Sequence, residues 1–144
     1  MHILMCNDDG ILADGLRHLA SYLSQYYRIT VVAPANEQSA KSLALTTEIP
    51  LKLDAYNGED ENPRLYALTG TPSDCMKFGL SYLLTDDMPD LVISGINHGF
   101  NLGSDVLYSG TVSAAMESCF YGIPGLALSA ERYSPERGDK MHPF

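Results

Sequence analysis

Four runs of almost unbroken apolar residues, HILMC (2–6), RITVVAP (28–34), DLVIS (90–94) and PGLALS (124–129), alternate with stretches of helical periodicity. Strands apolar on both faces must be covered on both sides, and strand–helix alternation builds a parallel sheet with right-handed crossovers. The expected fold is therefore α/β, an open, mostly parallel sheet with helices on both faces. Leu16, Leu19, Ala20 and Leu23 mark the first helix, in DGLRHLASYLSQYY, with Asp14 as its N-cap. A second helix starts at TPSDC, with Thr71 as N-cap, Pro72 at the first helical position and Asp74 in the first turn. Met76, Leu80 and Leu83 form its buried stripe. In a third, TVSAAMESCFYG, the spacing predicts a buried face of Val112, Ala115, Met116 and Cys119. Between Thr46 and Thr69 the pattern changes: EIPLKLDAY and RLYALTG flank NGEDENP, a β-hairpin insertion on Asn57-Gly58 turn chemistry, its acids Glu59, Asp60 and Glu61 solvated.

A chain of 144 residues supports a single core, read as one α/β domain over 1–144. Its net charge of −9 argues against a partner bound through a basic surface, nucleic-acid duplexes included. Any anionic ligand must instead be met by a metal, a helix N-terminus or backbone amides. Cys6, Cys75 and Cys119 are widely spaced, as reduced thiols of a cytoplasmic protein are, and Cys6 and Cys119 read as core residues. The N-terminus carries neither a basic leader nor a long apolar run, so neither a signal peptide nor a membrane partner is expected.

In an open parallel sheet the ligand site lies beyond the carboxyl ends of the strands. The informative segments are the ones that follow strands: NDDG, APANEQSAKS, SGINHGFNLGSD and the tail SAERY. Asp8 and Asp9 are adjacent, so their side chains converge only if the chain turns, which Gly10 permits. Two carboxylates ~4 Å apart repel by roughly 4 kcal/mol at an effective dielectric near 20, a cost that a divalent cation reverses. Taken alone, such a pair reads first as a helix cap beside a solvated acid. Ser39 in the second loop and Asn97 in the fourth reach the same rim. With Asp8 and Asp9 they make an all-oxygen set suited to Mg²⁺, Mn²⁺ or Ca²⁺, with coordination positions left for water and substrate.

Residues 94–111, SGINHGFNLGSDVLYSGT, carry Gly95, Gly99, Gly103 and Gly110. Glycines let backbone amides form an anion-binding concavity, and Ser109-Gly110-Thr111 opens a helix whose N-terminus favours phosphate. The segment is neither a P-loop nor a dinucleotide fingerprint, and Ser109 or Thr111 also reads as a simple cap. His98 reads as a solvent-exposed loop residue.

ILMCNDDG, VVAP, GTPSDC, SGINHGFNLGSDVLYSGTVSAAMES and GIPGLALS together closely resemble the SurE family, from the first residues to about Ser129. The resemblance implies a Rossmann-like core and metal-dependent hydrolysis of nucleoside 5′-monophosphates, and of 3′-monophosphates as well. It implies one divalent ion per subunit, Mg²⁺ or Mn²⁺, held by Asp8, Asp9, Ser39 and Asn97. Asp8, Asp9 and Asn97 would form the catalytic centre, with Asp8 accepting a proton from water. Asn101, Ser104, Ser109, Gly110 and Thr111 would surround the phosphate. After VVAP the family has a charged pair and Ser-Gly, where this chain has Ala35, Asn36 and Ala40; Ser39 keeps its place. Relatives are longer, and their C-terminal region supplies a dimerising arm and further polar site residues; with that region a dimer or tetramer is expected. The competing reading is a catalytically weak metal- or nucleotide-binding module, or a receiver-like signalling domain. A receiver needs a third strand-end aspartate and a late lysine, and LYALTGT and LALSAER provide neither.

Overall fold

The computed structural model describes residues 1–58 and 60–131. Among the described residues six strands form one sheet: β1 (His2–Cys6), β2 (Arg28–Pro34), β3 (Leu53–Ala55), β4 (Arg64–Leu68), β5 (Leu91–His98) and β6 (Gly125–Ala130). Their order across the sheet is β3-β4-β2-β1-β5-β6. All neighbours are parallel except the β3–β4 pair at one edge. The helices are α1 (Asp14–Leu23), α2 (Pro72–Phe78) and α3 (Gly110–Cys119).

Alternation along the strands divides the core in two. Ile3 and Met5 of β1, with Ile29, Val31 and Ala33 of β2, pack against Leu16 and Ala20 of α1. Leu4, Cys6 and Val32 face the other way, onto Met76 and Leu80 below α2 and Ala114 of α3. Each fully buried Leu, Ile or Met side chain contributes about 1.5–3 kcal/mol, which is why the central strands are mostly apolar, with His2, Thr30 and Ser94 as buried exceptions. The expected sheet with helices on both faces is what forms.

Several local expectations are corrected. Ala13, not Asp14, occupies the N-cap of α1 and gives no side-chain cap; Asp14 stands inside the first turn, where its charge meets the helix dipole. The hairpin is real, but its connection spans residues 56–63 rather than a two-residue turn. Asn57 closes it by side chain, donating to the Pro63 carbonyl (2.7 Å) and accepting from Leu65 N–H (2.8 Å). Nor is the hairpin an appendage, since β4 pairs with β2 as a full member of the sheet. Glu59 lies outside the described residues, as do the last two positions of SAERY. Thr71 and Asp74 form the expected reciprocal cap of α2.

The buried side of α3 differs from the periodicity. Gly110, Thr111, Ser113, Ala114, Ala115, Glu117 and Ser118 are buried, whereas Met116 is 46% exposed. Cys119 is exposed too, so it is not a core residue, while Cys6 and Cys75 are. The helix lies between α2 and β6, where small side chains allow close approach. Its polar groups find partners there: Ser118 Oγ donates to the Ala115 carbonyl, and Glu117 pairs with Lys77 of α2 at 3.3 Å. Small polar residues are buried in this setting, and a hydrophobic pattern does not register them.

Candidate functional site

The chain leaves β1 in opposite directions, to β2 on one side and, later, to β5 on the other. Such a reversal opens a crevice beyond the carboxyl ends of the central strands. NDDG follows β1 there, the segment after β2 crosses it, and β5 delivers Asn97 and His98. A cavity of about 710 Å³ fills the crevice, lined by Asp8, Asp9, Glu37, Ser39, Asn97, His98, Asn101, Asp105 and Ser109, with Ala40, Phe100 and Tyr108 completing the wall.

Gly10, at φ +101°, makes the turn that brings both aspartates to this side. The turn is braced by Asn7, whose amide donates to the Gly10 carbonyl (3.0 Å) while its oxygen accepts from Gly10 N–H (3.1 Å). Asn7 is fully buried, and its role was not anticipated; the signal available was an Asn three residues before a turn glycine. Gln38 N–H donates to the Asp8 carbonyl at 2.7 Å, tying the loop after β2 to the one after β1.

Asp8 is 5% exposed, and Thr111 Oγ1 donates to its Oδ1 at 2.6 Å. The N-terminus of α3 lies directly against it: a Cβ on Gly110 would come within 2.7 Å of Asp8 Cβ. Asp9 Oδ2 is buried without a hydrogen-bond partner among the described residues. Burial, and then the neighbouring Asp8 charge, push the Asp9 carboxyl above its usual range, against a lowering by His98. Asn97 lines the cavity and donates its amide nitrogen to the Gly99 carbonyl (2.8 Å). Ser39 is exposed, and its hydroxyl donates to Glu37 at 2.6 Å.

This donor set fits a hard divalent cation. The orphaned Asp9 oxygen, the fixed Asp8 carboxylate and two neutral oxygens are all oxygen donors, leaving positions for water. Among the described residues no group of three or more His, Cys, Asp or Glu that could hold a metal occurs, so a cation here would depend on the neutral oxygens of Ser39 and Asn97 beside the two carboxylates. Asp8, Asp9, Ser39 and Asn97 all line the one cavity.

The residues expected around phosphate are less uniform. Asn101 and Ser109 line the cavity, with Asn101 donating to Ser129 Oγ (2.8 Å) and Ser109 capping α3 through Val112 N–H (3.2 Å). Ser104 sits on the exposed 3₁₀ segment Gly103–Leu107, outside the lining. Thr111 is fully buried with its hydroxyl committed to Asp8, so it positions that carboxylate; Gly110 offers close approach. His98 is exposed and lines the cavity beside Asp9.

Residues 3–143 match the family model described as survival protein SurE. The chain is 54% identical to the 5′-nucleotidase SurE of a Thermoanaerobacter species over its whole length, covering 56% of that relative. Against the 5′-nucleotidase SurE of Caldanaerobacter subterraneus the identity is 48%, over 99% of this chain and 55% of the relative. The crystal structure of the SurE protein from Aquifex aeolicus superposes with a TM-score of 0.82 at 42% identity, over 93% of this chain and 53% of that one. The chain thus spans about half the length of the relatives it matches. From a switch-point crevice holding a paired-aspartate turn, and a match running along nearly the whole sequence, it follows that the chain belongs to the SurE family.

Proposed function

We propose that the protein is a metal-dependent phosphatase that hydrolyses nucleoside 5′-monophosphates, and 3′-monophosphates with them, to nucleoside and phosphate. The observation that carries this reading is the buried, unpartnered Asp9 Oδ2 beside an Asp8 held by Thr111, at the strand ends of a parallel sheet. A cavity with four carboxylates and neither Lys nor Arg in its lining repels a phosphate monoester unless a cation is present. The relatives are named 5′-nucleotidases, which points to the same chemistry.

Asp8, Asp9, Asn97 and Ser39 would hold one Mg²⁺ or Mn²⁺. When bound, that ion supplies Lewis-acid charge to the phosphoryl oxygens and lowers the pKa of water. Thr111 fixes Asp8 through Oδ1, leaving its other oxygen to take the proton as water attacks phosphorus. The new P–O bond forms as the ester P–O bond breaks, and the leaving oxygen takes a proton from solvent while Asp8 returns its own, so the nucleoside departs with its hydroxyl restored. Asn101, the Ser109 hydroxyl and the first amides of α3 stabilise charge on the phosphate oxygens. Ser104, outside the lining, has no part in this scheme. A cytoplasmic location accompanies the reading, as does assembly as a dimer or tetramer where the relatives' C-terminal region is present, and light scattering on a protein that carries that region checks the assembly. Among the described residues no helix is long and apolar enough to cross a membrane.

Phosphate release from a panel of mononucleotides tests the proposal. Turnover should vanish in chelator, return with Mn²⁺ or Mg²⁺, and drop at least a hundredfold in Asp9→Asn. Undiminished turnover in chelator refutes the metal-dependent scheme.

A further inference from the structure

Residues 35–52, between β2 and β3, carry neither helix nor strand, yet they bring Glu37, Ser39 and Ala40 to the cavity. A connection of that length usually serves a site, and ordering it costs conformational entropy. Its backbone runs against local preference: Ala40 stands at φ +58° and Ser42 at φ +49°, where L side chains are rarely found. Such conformations persist only where surrounding contacts impose them. Before Ser39, Gln38 N–H is bonded to the Asp8 carbonyl; after it, Ser42 Oγ donates to the Leu107 carbonyl (2.8 Å). A further hold lies at Thr46.

Asp74 is 5% exposed and receives more hydrogen bonds than the cap of α2 requires. Within the cap its Oδ2 accepts from Thr71 N–H (2.9 Å). Thr46, from the segment that carries Ser39, donates its N–H to Oδ1 (3.0 Å) and its hydroxyl to Oδ2 (2.7 Å). Thr71 answers in the opposite direction, its hydroxyl donating to the Ala44 carbonyl (2.6 Å). Hydrogen bonds to a carboxylate are about twice as strong as those between neutral groups. Room for this acid depends on Gly70, where a Cβ would come within 2.9 Å of Asp74 Oδ2. The start of α2 also abuts the start of α3, since a Cβ on Gly110 would lie 3.1 Å from Pro72 Cγ. The segment carrying Ser39 and the Asp8 carboxylate held by Thr111 are thus both tied to these two neighbouring helix ends.

We infer that Asp74 is a positioning residue for the site: through Thr46 it fixes the segment that carries Ser39, and so sets the Ser39 hydroxyl where a cation bound by the aspartates can use it. The inference rests on the metal site of the phosphatase reading above. Asp74 is not among the residues lining the cavity, so its influence passes through that segment.

Asp74→Ala would also uncap α2, so the test is made at Thr46, which has no part in that cap. Mn²⁺ affinity is measured by electron paramagnetic resonance on the folded 144-residue protein, and hydrogen exchange is followed at the Gln38 and Ser42 amides, both hydrogen-bonded in the parent. Thr46→Val should speed that exchange and lower Mn²⁺ affinity about three- to tenfold, less than the loss of a group bonded directly to a ligand. Thr46→Ser keeps the hydroxyl and should hold both near the parent. In a Ser39→Ala background Thr46→Val should cost no further affinity, a result that general loosening of the fold does not produce. Unchanged affinity in Thr46→Val, or the same loss with and without Ser39, overturns the inference. A parent that takes up no Mn²⁺ refutes the phosphatase reading instead. The hold on the segment is then decided by exchange alone, faster in Thr46→Val if Asp74 fixes it and unchanged if Asp74 does not.

Discussion

At the scale of single residues, the site turns on which oxygens are already committed. Asp8 has given one oxygen to Thr111, while Asp9 keeps a buried oxygen that no group among the described residues satisfies. A buried carboxylate oxygen in that state costs more than most side chains can repay, unless a cation takes it up. Thr111 acts through Asp8, so Thr111→Val should fold normally yet lower Mn²⁺ affinity about ten- to a hundredfold, the usual effect of losing a group that orients a ligand. Thr111→Ser keeps the hydroxyl and should retain most of the affinity. Equal affinities for parent and Thr111→Val would remove Thr111 from this role.

At the scale of elements, the approach of α3 to the end of β1 sets the geometry. A methyl group at Gly110 would lie 2.7 Å from Asp8 Cβ and 3.1 Å from Pro72 Cγ. Gly110→Ala should therefore lower stability by about 1–3 kcal/mol in urea unfolding, by overpacking, and displace Asp8 enough to weaken metal uptake as well. Unchanged stability would mean that the helix end accommodates the methyl freely. The strands, the reciprocal cap at Thr71 and Asp74 and the post-strand position of NDDG were legible in the sequence, because continuous apolar runs, capping and turn chemistry are local. The buried side of α3 was not. Glu117 is inside through Lys77 of α2, Ser113 and Ser118 through backbone carbonyls of their own segment, and hydropathy ranks all three below Met116, which lies outside. Likewise, the aspartate pair was visible but the brace from Asn7 was not, since its hydrogen bonds exist only once the turn has closed. The four expected metal ligands line one cavity, whereas Ser104, Gly110 and Thr111, expected at the phosphate, do not line it.

At the scale of the whole molecule, the two ends of the sheet differ. The carboxyl end is acidic and open; the amino end buries His2, which is 3% exposed. Its ring meets Thr30 Oγ1 at 2.9 Å, with Asp87 nearby and Arg28 and Arg64 around that acid. Burial, and then the Arg28 charge, lower the His2 pKa from 6.5, against a raising contribution from Asp87. The unfolded chain therefore binds the extra proton first. Stability from this group is complete above pH ~6.5 and falls as pH drops through 6.5 toward the depressed value. Urea midpoints measured from pH 7.5 down to pH 5 should decline in the parent and decline less in His2→Gln; equal slopes would show that His2 does not couple protonation to folding.

The paired aspartates are the centre of the whole account, and a Mn²⁺ titration of the folded protein, followed by electron paramagnetic resonance, tests them most directly. The account predicts saturable uptake of one ion per chain, lost in Asp9→Asn. A folded protein that binds no Mn²⁺, or an Asp9→Asn variant that binds it as the parent does, contradicts it.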